Sequence, residues 1–254
     1  MNQQISISNL TVGYDNKSLL EGINLATKTN KIIGVFGRNG QGKSTLLKTI
    51  SGLLPPITGS FNFESIDILS LSEKERAKVL SIVSTTQNNI GGITVKDFIA
   101  FGRFPYTNWL GINTAKDYQE IDNAITLCKL TDLANRNYDE LSDGEKQKVN
   151  IARAIAQNTP LIILDEPTVH LDLINKVEVF KLLKELTTNH NKTIIISTHQ
   201  IEYALQICDE IWLINNNEIN AYTPTNLINE NKLSELFDEA IISFDKGSQS
   251  FRLK

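Results

Sequence analysis

Hydrophobic positions along the chain change their period several times, and each change marks an element. Over 5–27 two runs, ISISNLTVGY and LLEGINLAT, alternate apolar and polar residues about a polar break at Asp15, Asn16 and Lys17. That is the pattern of two half-exposed antiparallel strands joined by a turn. KIIGVFG at 31–37 does not alternate; a short continuous apolar run bounded by glycine reads as a strand buried on both faces. It leads directly into GRNGQGKST, after which Leu46, Leu47 and Ile50 recur at helical spacing in a segment that stops at Gly52 with Pro55 beyond. The order is strand, glycine-rich loop, helix.

After Gly59 the pattern predicts a short strand (GSFNF), a polar helix around SEKERAKVL and an apolar strand, SIVST, ending just before Gln87. From Thr94 to Gln157 helical spacing dominates, in TVKDFIAFGR, KDYQEIDNAITLCKL and SDGEKQKVNIARAIAQ, which predicts a helical subdomain inserted between two halves of a sheet. LIILD (161–165), TIIIST (193–198) and EIWLIN (210–215) again read as buried strands, separated by helical patterns at 174–189 and 200–208. ISFDKGSQSFRL suggests a terminal hairpin. The expected fold class is α/β, a mostly parallel sheet with an antiparallel β subdomain at its N-terminal side. The expected organisation is one domain over 1–254: a core from 1–90 and 158–254, and a helical subdomain at 91–157.

Composition narrows the function. With 25 Lys and Arg against 29 Asp and Glu among 254 residues, and no basic tract, the chain lacks the footprint of a nucleic-acid binder. Two cysteines, Cys128 and Cys208, make no disulfide framework and sit at no metal-ligand spacing, so both read as small buried apolar residues. MNQQISISNL has no charged n-region followed by an apolar stretch, and no apolar run reaches 18 residues, so the expectation is a cytosolic chain without a membrane span.

The candidate chemistry lies at two of the predicted strand ends. Gly37, Gly42, Lys43 and Ser44 satisfy the phosphate-loop pattern between an apolar strand and an amphipathic helix. There, backbone amides and a helix N-terminus converge on phosphate oxygens, Lys43 adds a point charge, and the Ser44 hydroxyl can ligate Mg2+. LIILDEP ends another apolar run in Asp165 and Glu166, two carboxylates at a carboxyl edge where ligands bind. One can hold the metal through water while its neighbour orients or deprotonates a water for in-line attack on a γ-phosphate.

With these in place, ELSDGEKQKV at 140–149 resembles the signature motif of the nucleotide-binding subunits of ABC transporters, and the resemblance covers nearly the whole chain in the right order. Ser142 followed by Glu145 is at the same time a capping box. The resemblance implies that Gly37, Arg38, Asn39, Gly40, Gln41, Gly42, Lys43, Ser44 and Thr45 bind ATP, with Tyr14 stacking on adenine. It implies that Ser44, Gln87 and Asp165 serve Mg2+, that Glu166 acts on the attacking water, and that Gln87 and the switch residue His199 complete the catalytic set. Ser142, Asp143, Gly144 and Glu145, with Asp172 of the HLD segment at 170–172, are implied to reach a second copy. His190, in TTNHNK, reads as a solvated helix-end residue. Three positions depart from the family: Arg38 and Gln41 stand where a proline and a small residue are usual, and Asp143 replaces a signature glycine.

The same resemblance implies a homodimer sandwiching two MgATP, docked at the cytoplasmic face of the membrane beneath separate permease subunits and served indirectly by an extracytoplasmic substrate-binding protein. FGRFPYTNWLG at 101–111 is similar to the GR-x-P-Y segment of importer ATPases for iron siderophores, haem and cobalamin. Its aromatics Phe101, Phe104, Tyr106 and Trp109 either pack the helical subdomain or meet a permease. An exporter ATPase and a non-transport single-cassette ATPase, as in iron-sulfur assembly, are the alternative readings. A single motif set and the lack of a long coiled coil argue against translation factors and repair ATPases of this type.

Overall fold

The structure is a computed structural model describing residues 4–15, 17–84, 91–169, 171–236, 242–248 and 250–253. In chain order the first elements are β1 (Gln4–Tyr14), β2 (Lys17–Lys28), β3 (Ile32–Phe36), α1 (Lys43–Ile50), β4 (Thr58–Phe63), β5 (Ile66–Asp67), α2 (Glu73–Arg76) and β6 (Leu80–Val83). Then come α3 (Val95–Ala100), α4 (Ala115–Leu127), α5 (Asp143–Ala156), β7 (Leu161–Asp165), α6 (Leu173–His190) and β8 (Thr193–Ser197). The chain ends with α7 (Ile201–Ile207), β9 (Glu210–Asn215), β10 (Glu218–Tyr222), α8 (Pro224–Asn229), β11 (Ile242–Asp245) and β12 (Ser250–Leu253). It divides into two compact units, 1–70 with 195–254, and 71–194.

In the first unit an antiparallel sheet has the order β2-β1-β4-β5. Strict alternation in β1 would not carry both of its apolar pairs to one side, and a bulge solves this: the β1–β2 register shifts between Ile7 and Leu10, with Asn9 at φ 46°. Ile5, Ile7, Leu10 and Val12 are all buried as a result. Asn9 and Asn24 exchange hydrogen bonds at 3.0 and 3.1 Å across the bulge. Gly59 faces it so closely that a Cβ would lie 2.4 Å from the Asn9 carbonyl oxygen. A second set of strands has β3 parallel to β9 and β9 antiparallel to β10. All five residues of β3 are buried, as its unbroken apolar run requires. β10, half-exposed and joined to β9 by a two-residue turn at Asn216 and Asn217, was not among the expected strands.

In the second unit β6 and β7 pair in parallel, and α5 packs closely on α3 and α4. Two expected helices come out shorter. The one expected around SEKERAKVL ends at Arg76, where tight turns from Lys78 to Glu75 and from Val79 to Arg76 lead into β6. The one expected through TVKDFIAFGR ends at Ala100 and continues as a 3-10 turn over Phe101–Tyr106 that contains Pro105. Gly102 in that turn lies against α5, where a Cβ would meet the Arg153 carbonyl at 2.3 Å. The segment 91–157 lies wholly within this unit, together with β6, β7 and α6. Both cysteines are buried, and burial pushes the Cys128 thiol up to about 12. Among the described residues no helix is long and apolar enough to cross a membrane.

Candidate functional site

The residues singled out in the sequence fall into two groups, one in each unit. In the first unit β3 ends at Phe36 and the loop 37–42 turns the chain into α1. Gly40 and Gly42 have φ of 79° and 96°, a region closed to most side chains, so the loop geometry itself requires glycine there. No side chain caps α1 and its first turn holds no acid; its first helical bond runs from the Leu46 amide to the Gly42 carbonyl at 2.8 Å. The amides ahead of that bond point out of the helix at the positive end of its dipole, the arrangement that receives an anion. Lys43, only 6% exposed, donates to the carbonyls of Gly37 (2.8 Å) and Arg38 (3.0 Å), which hold its ammonium across the loop.

The two phosphate-loop departures turn out to be a pair. Arg38 brings a backbone N–H that proline lacks, and the Gln41 side-chain oxygen accepts it at 2.7 Å, while the Gln41 amide donates back to the Arg38 carbonyl. Gln41 thus compensates within the loop for the donor that Arg38 introduces. The Arg38 guanidinium reaches away, to the Leu236 carbonyl at 3.0 Å. Neither tie has a sequence signal, since each is a side chain meeting a backbone atom.

Tyr14 closes β1 and is 46% exposed, open to a stacking partner. At the same end of the antiparallel sheet, Leu19 and Leu20 lie 3.5–3.7 Å from where a Gly42 Cβ would stand, so this sheet abuts the loop. His199 lies two residues past the end of β8 and is exposed. His190 is exposed at the last turn of α6, as expected.

In the second unit β7 delivers Asp165 at its last position, with Glu166 immediately after it. Both are partly buried, and Glu166 is held at φ 50°, a left-handed conformation that costs a non-glycine residue about 1 kcal/mol. The turn that imposes it is closed by the Val169 amide on the Glu166 carbonyl at 3.2 Å. Ser142 caps α5: its hydroxyl accepts from the Glu145 amide, while the Glu145 carboxylate takes the Ser142 amide and hydroxyl, both at 2.8 Å. Those bonds from Ser142 hold the Glu145 carboxyl below the usual carboxylate range. Asp143 is exposed at the first turn of α5, and Gly144 faces Leu171. Asp172 caps α6, accepting from the Asn175 amide at 2.8 Å. Gln87 and His170 lie outside the described residues.

The GR-x-P-Y segment divides by role. Arg103 is buried and pairs with Asp117 at 2.8 Å, donates to the Ala156 carbonyl at 2.7 Å and stacks on the Tyr106 ring at 4.1 Å. Burial raises the Asp117 carboxyl, but the bonds from Thr114 and Arg103 outweigh it and hold it below its ordinary value. The glycine and arginine are therefore structural, while Phe104 and Trp109 stand 58% and 91% exposed.

Comparison with known proteins agrees with these motifs. The family model for ABC transporters matches residues 20–169. An uncharacterised ABC transporter ATP-binding protein of Methanocaldococcus jannaschii is 39% identical over 98% of this chain and 87% of its own length. A petrobactin import ATP-binding protein of Bacillus subtilis is 36% identical over 93% of this chain and 94% of its own. Among solved structures, a chain of an ABC transporter in an inward-facing conformation superposes with a TM-score of 0.81 at 30% identity, covering 99% of this chain and 96% of that one. A dimeric ATP-binding cassette in a post-hydrolysis state with ADP and Pi gives 0.76 at 26%, over 87% and 98%. With the phosphate loop, signature helix and acidic strand in the order the family requires, the chain belongs to the ABC transporter family, as one of its nucleotide-binding, ATP-hydrolysing subunits.

Proposed function

We propose that this chain energises an importer of iron siderophores, haem or cobalamin, working as a homodimer on the cytoplasmic face of a membrane beneath separate permease subunits. The observation that carries the cargo class is likeness across most of the chain to ATP-binding proteins of petrobactin import, achromobactin transport (34% over 94% of the chain) and iron(3+)-hydroxamate import (34% over 79%). The exposed Phe104 and Trp109 beside the structural Gly102 and Arg103 suit a partner surface, and the permease is their occupant in this reading. An extracytoplasmic binding protein selects the cargo, which the ATPase itself does not touch.

In each site the phosphate loop, Gly37 to Thr45, binds the phosphates of ATP, and Tyr14 stacks on its base. The Ser44 hydroxyl and the Asp165 carboxylate are hard oxygen donors that suit Mg2+, a metal that brings its own waters and shares substrate phosphates. When held there, Mg2+ would supply neutralisation of the charge that develops on the phosphates. Glu166 takes the proton of the attacking water or orients it, His199 and Gln87 address the γ-phosphate and that water, and Ser142 and Asp172 meet the nucleotide site of the second copy. Tighter binding of ATP to the closed dimer drives the permease, and hydrolysis reopens it.

The test is affinity purification of the Glu166→Gln variant from detergent-solubilised membranes with MgATP. Recovery of a polytopic permease together with an iron-chelate or cobalamin binding protein supports the importer. Recovery of soluble partners alone sinks the transport reading and leaves the ATPase intact. Full steady-state hydrolysis by the same variant removes Glu166 from its role.

A further inference from the structure

The signature helix and the turn before α6 are joined within the second unit by two contacts one helical turn apart. At the first, Gly144 of α5 lies against the chain before α6, where a Cβ would stand 3.4 Å from Leu171 Cδ2 and 4.0 Å from Asn175 Nδ2. At the second, four residues further along α5, Lys148 Nζ meets Glu178 Oε2 at 2.8 Å. The other oxygen of Glu178 takes Lys129, just past the end of α4, at 3.1 Å. One carboxylate thus ties α5, α6 and the end of α4.

What lies beside this bridge gives it weight. An isolated surface ion pair contributes about 0 to 1 kcal/mol and fixes little. Here, however, α5 packs closely on α3 and α4, whereas its side toward α6 opens into a cleft of about 290 Å3 lined by Leu127, Cys128, Ile151, Val179 and Leu182, with Glu178 and both lysines among its walls. Where apolar side chains do not fill the space between two helices, packing cannot fix their separation, and the groups spanning it do. Lys148 is only 20% exposed, so its pair with Glu178 is screened less than a free surface pair. The lysines also hold the Glu178 carboxyl below its ordinary range, as two bonded cations should.

We propose that Glu178 is a positioning residue: through Lys148 and Lys129 it fixes the register of the signature helix against α6, so that Ser142 and Asp172 are presented to a second copy as one rigid surface. Ser142 caps α5 and Asp172 caps α6, so any slip of one helix along the other displaces the two caps relative to each other. The inference rests on the reading that these two caps meet a second copy in the ATP-bound dimer.

The experiment uses the full chain in the Glu166→Gln background and follows the ATP concentration at which it dimerises by sedimentation velocity. Glu178→Gln, Lys148→Met and the double variant are compared, and a fluorescent ATP analogue reports nucleotide binding by the monomer. Each single variant is expected to raise the ATP midpoint about fivefold, and the double variant to do no worse than the poorer single, as for two groups acting through one interaction. Monomer nucleotide affinity should stay at the parent value, which a general loss of structure would not allow. An unchanged midpoint in Glu178→Gln, or additive effects in the double variant, overturns the proposal. If Glu178→Gln fails to fold, Lys148→Met and Lys129→Met carry the test, with the same midpoint shift expected and an unchanged midpoint again overturning it. Ser142→Arg separates the two levels. If it leaves dimerisation intact, the trans-contact reading fails and the role of Glu178 falls with it. If it blocks dimerisation while the Glu178 and Lys148 variants behave as the parent, only the inference fails.

Discussion

The N-termini of α1 and α5 both fall in glycine-containing motifs of the same chain, yet they are finished in opposite ways. That of α1 has no side-chain cap and no acid in its first turn, with a buried lysine behind it. That of α5 is closed by Ser142 and Glu145 and carries Asp143 as well. Side-chain caps close α2, α3, α4, α6 and α8 as well, and α7, which also has none, carries Glu202 in its first turn. A helix end that forgoes about 1 kcal/mol of capping and also holds no acid in its first turn is shaped for an acceptor that comes from outside the chain. The α5 end holds its own carboxylates, and the one proton of the Ser142 hydroxyl is already donated to Glu145, so its dipole is partly answered from within the chain.

The strongest way to break this contrast is at Lys43. Lys43→Ala removes the point charge from the bare end and frees the Gly37 and Arg38 carbonyls it now ties. ATP turnover should fall by on the order of 100- to 1000-fold, with weakened nucleotide binding read by a fluorescent analogue. Near-parent affinity and turnover would mean that the phosphates sit elsewhere. Next comes Gly42→Ala. A Cβ at Gly42 has room, 3.5 Å from Leu20 Cγ, so the effect isolates the cost of φ 96° and should be about 1–2 kcal/mol in thermal or urea unfolding. An unchanged melting temperature would show that the loop relaxes and that its left-handed turn is dispensable.

The contrast also has a pH signature. Glu145 has its carboxyl lowered in the folded state, so it stabilises the fold at neutral pH, and that contribution disappears as pH falls below the 4.5 of a free glutamate and through the folded value. Glu145→Gln keeps the shape of the cap but not the charge. It should lose a few tenths of a kcal/mol near pH 7 and shallow the decline of the melting temperature in acid. Parallel acid branches for parent and variant would place the sensitivity in other carboxylates.

These differences also mark what a sequence can carry. The buried strands β3, β7, β8 and β9 were legible because a strand covered on both faces must be apolar throughout, and the loop was legible because its turn demands glycine at fixed offsets. The strand β10 was not expected, because its alternation runs over only Glu218 to Ala221; its stronger signal is the Asn216-Asn217 turn, both residues at positive φ, that folds it back on β9. The aromatic segment around Arg103 could be read either as packing or as a partner surface, and Arg103 falls on the packing side, buried against Asp117 and two carbonyls of distant residues, contacts that no local window contains. The Arg38 and Gln41 departures looked independent and are one compensated change, visible only when the side chain of one is seen on the amide of the other.

A comparably small effect sharpens the comparison most, because its two consequences have opposite signs. Asp143 is exposed at the positive end of α5, where a carboxylate typically contributes about 0.3–1 kcal/mol, so Asp143→Gly should lower the melting temperature slightly. The same substitution removes a negative charge from the surface proposed to approach a γ-phosphate, and like charges disfavour that approach. ATP-driven dimerisation of the Glu166→Gln chain should therefore need about twofold less ATP at low salt in the Asp143→Gly variant, with the gain fading as added salt shortens the range of the repulsion. If both stability and the ATP requirement fall together at low salt, Asp143 trades dimer affinity for a better-capped helix. If the ATP requirement is unmoved at every salt concentration, the Asp143 carboxylate stays in solvent when the dimer closes, and the α5 end differs from the α1 end only in how it is capped.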